Sequence, residues 1–286
     1  MMELFDFIYK SAAGLLPFEW AQSTFIIRAI IGLALLAPLC GAIGIMVVNF
    51  KMAFFSDTIS HSAFTGIALG LLFGINPWIT LVAFGIVIGI GIIRVKRHTD
   101  LSVDTVIGVF FSTVIAIGIA IISARRGLSR DLQSYLFGDI LTINETELIA
   151  MIILFVISVW FLWHTYNKLL IIGLNEDLAF SKGIRTTLYE YSFAVLLAIV
   201  VTFSIRAVGL LLVTALLILP AASARNMARS SGALFWWSII FAFLSGIIGL
   251  AGSLMIDIAT GAAVIIVAAI FFVLTNIWRA IHHSNM

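Results

Sequence analysis

Asp57 and His61 could do chemistry that hydrocarbon surroundings rarely permit. They stand four positions apart in SDTISHSAFTGIALG, residues 56–70. On an α-helix, positions i and i+4 share a face, so the carboxylate and the imidazole would point the same way. Ionisable groups at membrane depth are costly and mark the path of an ion or proton. Aspartate and histidine are also ligands for divalent transition metals. The competing reading is a polar pair satisfied inside a helix bundle; the shared face favours the first. Cys40 is the single cysteine. It excludes an intrachain disulfide and a cysteine-built zinc cluster within one chain, and reads as a small residue packed in a helix.

The elements that must position this pair are membrane helices. The 286 residues are 62% hydrophobic and only 10% charged, with a mean hydropathy of +1.19. A soluble domain carries charge on about a quarter of its residues. The fold class is therefore an all-α polytopic integral membrane protein, a single transmembrane domain over 1–286 with no room for a sizeable soluble unit. The net charge of +2 points to no nucleic acid. Apolar runs fall at 22–48, 53–73, 77–95, 104–123, 146–167, 187–205, 208–224, 234–255 and 261–280. They predict about nine crossings, or eight if one short segment is re-entrant.

The basic residues orient the chain. Lys51, Arg94, Lys96, Arg97, Lys168, Lys182, Arg185, Arg225, Arg229 and Arg279 fall on one side if there are nine crossings with the N-terminus outside and the C-terminus in the cytoplasm. Arg125, Arg126, Arg130 and Arg206 depart from this pattern. Residues 1–21 lack the basic leader of a signal peptide, since Glu3 and Asp6 come first; they read as an interfacial amphipathic segment. Gly85 and Gly89 form a small-xxx-small pair suited to close helix approach. Pro38 and Pro220 predict kinked or broken helices. No internal repeat is visible, which weighs against inverted-repeat carriers.

Two further segments matter. GLNEDLAFSKGIR, 173–185, is polar, with Asn175 placed to cap a helix and Gly183 placed to end it. It suits docking into a groove of another protein, or a plain connector. RAVGLLLVTALLILPAASAR, 206–225, closes on small residues that permit close packing. Among the weaker candidates, Asp104 reads as a helix cap, Asp257 and Arg206 as a gate or an ion pair, and His164 as part of an aromatic belt. His282 and His283 read as a frayed terminus, and Glu190 has no evident role. The chain lacks GxxxxGK[ST], HExxH and GxSxG, so any pump energy and any hydrolytic chemistry lack their motifs here.

Taken together and in order, FFSDTISHSAFTGIALGLLF (54–73), VDTVIGV (103–109), DLQSYLFGDIL (131–141), EDLAFSKGI (176–184) and VGLLLVTALLILPAASAR (208–225) resemble the ABC-type permeases of zinc and manganese uptake systems, most of all the zinc permease of Gram-negative bacteria. The resemblance covers nearly the whole chain. It implies a type II ABC importer permease-like fold in the bacterial inner membrane. It also implies a permease homodimer, two copies of a cytoplasmic ATPase that hydrolyses ATP, and a periplasmic metal-binding protein. By the same resemblance Asp57 and His61 contact metal, Asp177, Leu178, Ala179 and Gly183 touch the ATPase, and Pro220, Ala221 and Ala222 line the pore. The chain itself is then no enzyme and holds no tight cofactor; Zn2+ is its substrate. Manganese or iron as cargo, a secondary carrier working without ATP, and an intramembrane enzyme are the alternatives. Deprotonated ligands are required for metal binding, so acid that protonates His61 should weaken it.

Overall fold

The computed structural model describes residues 23–124 and 143–283. The expected interfacial segment at 1–21 and the DLQSYLFGDIL stretch lie outside the described residues. The helices are α1 (Thr24–Asn49), α2 (Ala53–Phe73), α3 (Pro77–His98), α4 (Val103–Ala124), α5 (Glu145–Leu174), α6 (Glu176–Ser181), α7 (Thr186–Val208), α8 (Leu210–Met227), α9 (Ser231–Ile256) and α10 (Thr260–His283). All but α6 correspond to the nine apolar runs. Seven of them, α1, α3, α4, α5, α7, α9 and α10, are long and apolar enough to cross a membrane by length and composition, and α8 is a shorter apolar helix. α2 has the length, 21 residues, but carries too much polarity to join them.

Local signals start and stop these elements. The Asn76 side chain accepts from the Trp78 N–H beside Pro77 at the first turn of α3. Asn144 and Glu147 form a reciprocal capping box on α5. Gly74, with φ of 67°, ends α2 in the left-handed conformation. The cap expected from Asp104 belongs instead to Ser102, whose Oγ accepts from the Thr105 N–H at 3.2 Å. Asp104 sits in the first turn of α4, where its charge suits the helix dipole. α1 and α8 run unbroken through Pro38 and Pro220, as membrane helices packed among neighbours can. α7 and α8 are joined through Gly209 alone, with φ of 83°.

α1 and α5 run parallel and α9 runs antiparallel to them, as contacts at the two ends show. At one end the Asn49 amide of α1 donates to the Leu170 carbonyl of α5 at 3.2 Å, and the Tyr166 hydroxyl of α5 donates to the Ser231 carbonyl of α9 at 3.2 Å. At the other end Arg28 of α1 pairs with Glu145 of α5 at 2.7 Å. The first end gathers Lys51, Lys96, Arg97, Lys182, Arg185, Arg225, Arg229 and Arg279 and is called the basic end below.

α1 is the hub, packed against α5, α8 and α9; α8, α9 and α10 pack on one another. α2 lies chiefly among α3, α4, α7 and α8. Its hydroxyls explain how a polar helix stays inside. Ser56, Thr58 and Ser62 donate back to carbonyls of their own helix, and Thr65 donates to the Val114 carbonyl of α4 at 2.7 Å. The Gly85 and Gly89 pair behaves as expected, with α7 seated on it: a Cβ at Gly85 would strike Thr202. The closest backbone approach is at Gly44, where a Cβ would run into the Leu217 carbonyl of α8.

Gly44→Ala should therefore force α1 from α8 and destabilise the permease by about 1–3 kcal/mol. Gly252→Ala, where the added carbon meets open space, should change little. Thermal unfolding of the two purified variants in detergent checks the contrast.

Candidate functional site

Asp57 and His61 lie about 6 and 12 Å along α2 from Ala53 at the basic end, at 1.5 Å per residue. His61 Nε2 and Asp57 Oδ1 are 3.7 Å apart, too far for a hydrogen bond. Each side chain thus keeps donor atoms available. His61 stands edge-on to Phe111 of α4, ring centroids 5.1 Å apart, which holds the imidazole in place. Both side chains are about a third exposed. Phe54, Asp57, His61 and Phe64 form the open strip of a helix whose other faces are buried. Among the described residues no group of three or more His, Cys, Asp or Glu side chains could hold a metal. One chain therefore brings two donors together, where zinc takes about four.

The 173–185 segment folds as sequence chemistry demands. The Asn175 side chain accepts from the Leu178 N–H at 2.9 Å and starts α6. Gly183, with φ of 73°, ends it, in a region costly for residues bearing a Cβ. Ala179 is fully buried against the bundle, whereas Leu178 and Phe180 are 48% and 78% exposed. Asp177 and Gly183 are exposed as well. α6 thus presents apolar side chains to solvent at the basic end, held on a seated alanine.

The residue with no evident role turns out to anchor this region. Glu190, near the start of α7, is 3% exposed. Its Oε1 accepts from Lys96 Nζ at 3.0 Å and its Oε2 from Arg97 Nε at 2.9 Å. Arg97 also donates to Glu176, the first residue of α6, at 3.0 Å and to the Thr186 hydroxyl at 3.3 Å. One guanidinium therefore ties the end of α3 to α6 and α7. The signal was present as two adjacent bases and a carboxylate inside an apolar run at one end of the bundle, but Lys96 and Arg97 also serve topology and concealed it.

Pro220 and Ala221 are buried in α8, while Ala222 is partly exposed on the strip that includes Thr214 and Ile218. Asp257 caps α9 with a left-handed φ of 58°; the side chain of Arg206 lies outside the described residues. The apolar run 146–167 puts His164 near its end, but α5 continues to Leu174; the His164 Nδ1 meets the Trp160 carbonyl at 2.9 Å. The C-terminal histidines are not frayed: α10 runs to His283, and the His282 ring stacks on Trp278 with centroids 4.5 Å apart.

Such a bundle, with an ionisable pair on an open helix face and an exposed short helix between two spans, is that of a polytopic membrane transport protein. Comparison with known proteins makes this specific. The family model described as the ABC 3 transport family matches residues 22–279, and the chain belongs to that family. It is the membrane permease subunit of an ABC transporter, and ATP hydrolysis lies on a partner ATPase. The high-affinity zinc uptake system membrane protein ZnuB of Haemophilus influenzae is 36% identical over 240 residues, covering 84% of this chain and 92% of that protein. The manganese import system permease protein ScaB of Streptococcus parasanguinis is 32% identical over 267 residues, covering 92% and 91%. Among solved structures, PsaBC from Streptococcus pneumoniae in complex with Fab superimposes with a TM-score of 0.76 at 29% identity, covering 96% of this chain and 95% of that one.

Removing one partner of a buried ion pair costs about 3–5 kcal/mol, because the remaining charge is stranded. Glu190→Gln should therefore lower stability far more than Glu176→Gln, whose carboxylate is about half exposed and contributes roughly 0–1 kcal/mol. Unfolding of both variants in detergent tests the order.

Proposed function

We propose that this chain is the permease of an ATP-driven zinc importer of the bacterial inner membrane. The observation that carries the reading is the Asp57–His61 strip, an incomplete donor set on an open helix face. Two copies related by a two-fold axis would bring two carboxylates and two imidazoles together, the number of ligands zinc prefers. Transport needs such a site to form and to come apart, since an ion held by a closed cage is not released. Zinc is favoured over other divalent ions by the similarity to ZnuB and by imidazole as a donor. The similarity to manganese permeases and the carboxylate support manganese as the second reading.

The remaining assignments follow from the same reading. The basic end faces the cytoplasm by the positive-inside rule, which puts the C-terminus there and the start of α1 on the periplasmic side. Two cytoplasmic ATPases would dock on α6, with Asp177, Leu178 and Gly183 exposed to them and Ala179 fixing the helix beneath. A periplasmic metal-binding protein would deliver the ion at the opposite end. The small residues around Ala222 on α8 would line the path beside α2, in a domain spanning 1–286.

Uptake assays in proteoliposomes holding the permease, its ATPase and its binding protein, with zinc and manganese in competition, test the cargo and the site at once. Asp57→Ala and His61→Ala should each abolish zinc uptake while the complex still assembles. Normal uptake by both variants would remove the metal role of the strip, and a preference for manganese would change the cargo. Leu178→Asp places a charge on the exposed face of α6 and should reduce ATPase co-purification at least tenfold, with the permease still folded; undiminished co-purification would place the docking surface elsewhere.

A further inference from the structure

A long hollow lies on the side of the bundle away from α2 and its Asp57–His61 strip. Its floor is α1 and its walls are α5 and α9, and it has a volume of about 480 Å³. Phe155, Val159 and Trp163 face Phe235, Trp236 and Ile239 across it. Further along α1, α5 and α9, at the basic end, a second hollow of about 300 Å³ opens, walled also by the end of α8 and lined by Arg225 and Arg229. Tyr166 crosses from α5 to α9 between the two hollows: its hydroxyl reaches the Ser231 carbonyl at 3.2 Å and its ring meets Phe235 edge-on, centroids 5.2 Å apart. From Val159 to Leu174 the two hollows together span about 22 Å along α5 at 1.5 Å per residue, more than the roughly 15 Å half-thickness of a bilayer core.

Apolar and cationic surfaces are segregated along this groove. The deep part is aromatic and aliphatic, and its rim is open, with Trp163 84% and Trp236 63% exposed. The shallow part carries two guanidinium groups, and no carboxylate lies within ion-pair distance of either among the described residues. Arg229 immediately precedes Ser230, the N-cap of α9, so the positive end of that helix adds to the same field. A ligand matched to it has a hydrocarbon chain at least half a bilayer long and an anionic head at one end. We propose that the α1–α5–α9 groove binds an anionic glycerophospholipid, with one acyl chain between α5 and α9 and the phosphate against Arg225 and Arg229. A zwitterionic choline lipid brings a cation to the same arginines and is disfavoured. The lipid sits beside α1, the hub of the bundle, and fills the space between α5 and α9 on either side of Tyr166.

The full-length permease, purified and placed in nanodiscs of phosphatidylcholine with increasing phosphatidylglycerol, provides the test, with co-retained lipid counted by native mass spectrometry after release into detergent. Wild type should retain phosphatidylglycerol in preference to phosphatidylcholine. Arg225→Gln with Arg229→Gln should reduce that preference about 30-fold, from a factor of about five per surface charge. Gly232→Phe provides an independent check: a side chain at Gly232 meets nothing within 4 Å and would grow into the groove. It should displace the lipid with both arginines intact. Equal retention of the two lipids by wild type overturns the proposal, as does a preference unchanged in the arginine variant. Loss in the arginine variant but not in Gly232→Phe would show adsorption at the surface rather than a groove, and also overturns it. Arginine variants that keep the lipid but lose the partner ATPase would reassign the arginines to a protein contact.

Discussion

A helix bearing a carboxylate, an imidazole and a row of hydroxyls cannot face hydrocarbon, and the bundle is arranged around that constraint. α2 is enclosed by α3, α4, α7 and α8, and its hydroxyls, Ser60 excepted, are spent on its own carbonyls or on α4. What remains is a single strip, Phe54, Asp57, His61 and Phe64, left partly open. The enclosing helices can be almost purely apolar because α2 concentrates the polarity. Gly85 and Gly89 on α3, and Gly44 on α1, then let backbones approach where lipid-like side chains would hold them apart.

A second concentration of polarity sits at the basic end, and it has a different physical character. Glu190 is buried and doubly paired, an arrangement whose desolvation cost is offset only when geometry and hydrogen bonding are complete. Here both carboxylate oxygens are occupied, and Arg97 spends its remaining reach on Glu176 and Thr186. Fixing geometry is the stronger function of such a network. It holds the exposed face of α6 in register with α3, the helix that packs most extensively against α2.

Much of this was readable from residues alone, and the failures have physical causes. Gly74, Asn76 and Pro77 punctuate the chain so plainly that α2 and the start of α3 fall where the sequence indicates. The four-residue spacing of Asp57 and His61 was enough to place them on one face. α5 was drawn short because Asn167 and Lys168 look like an end, yet the helix continues to Leu174; at a membrane boundary polar residues are compatible with helix on both sides. Glu190 was opaque because its partner lies 94 positions earlier, and only the fold brings the two together. The cap of α4 went to Ser102 rather than Asp104 because two plausible cap residues stand two positions apart and only backbone geometry chooses between them.

The joint at Gly209 has a mechanical consequence. A link of one residue between α7 and α8 admits a change of angle but leaves no slack for one helix to slide along the other. α7 is pinned at its far end by Glu190, and α8 is pressed backbone to backbone on α1 at Gly44. The two helices therefore behave as a pair of dividers with its pivot at the end opposite the basic one: whatever displaces the legs at the basic end opens or closes the V, and the pivot stays where it is.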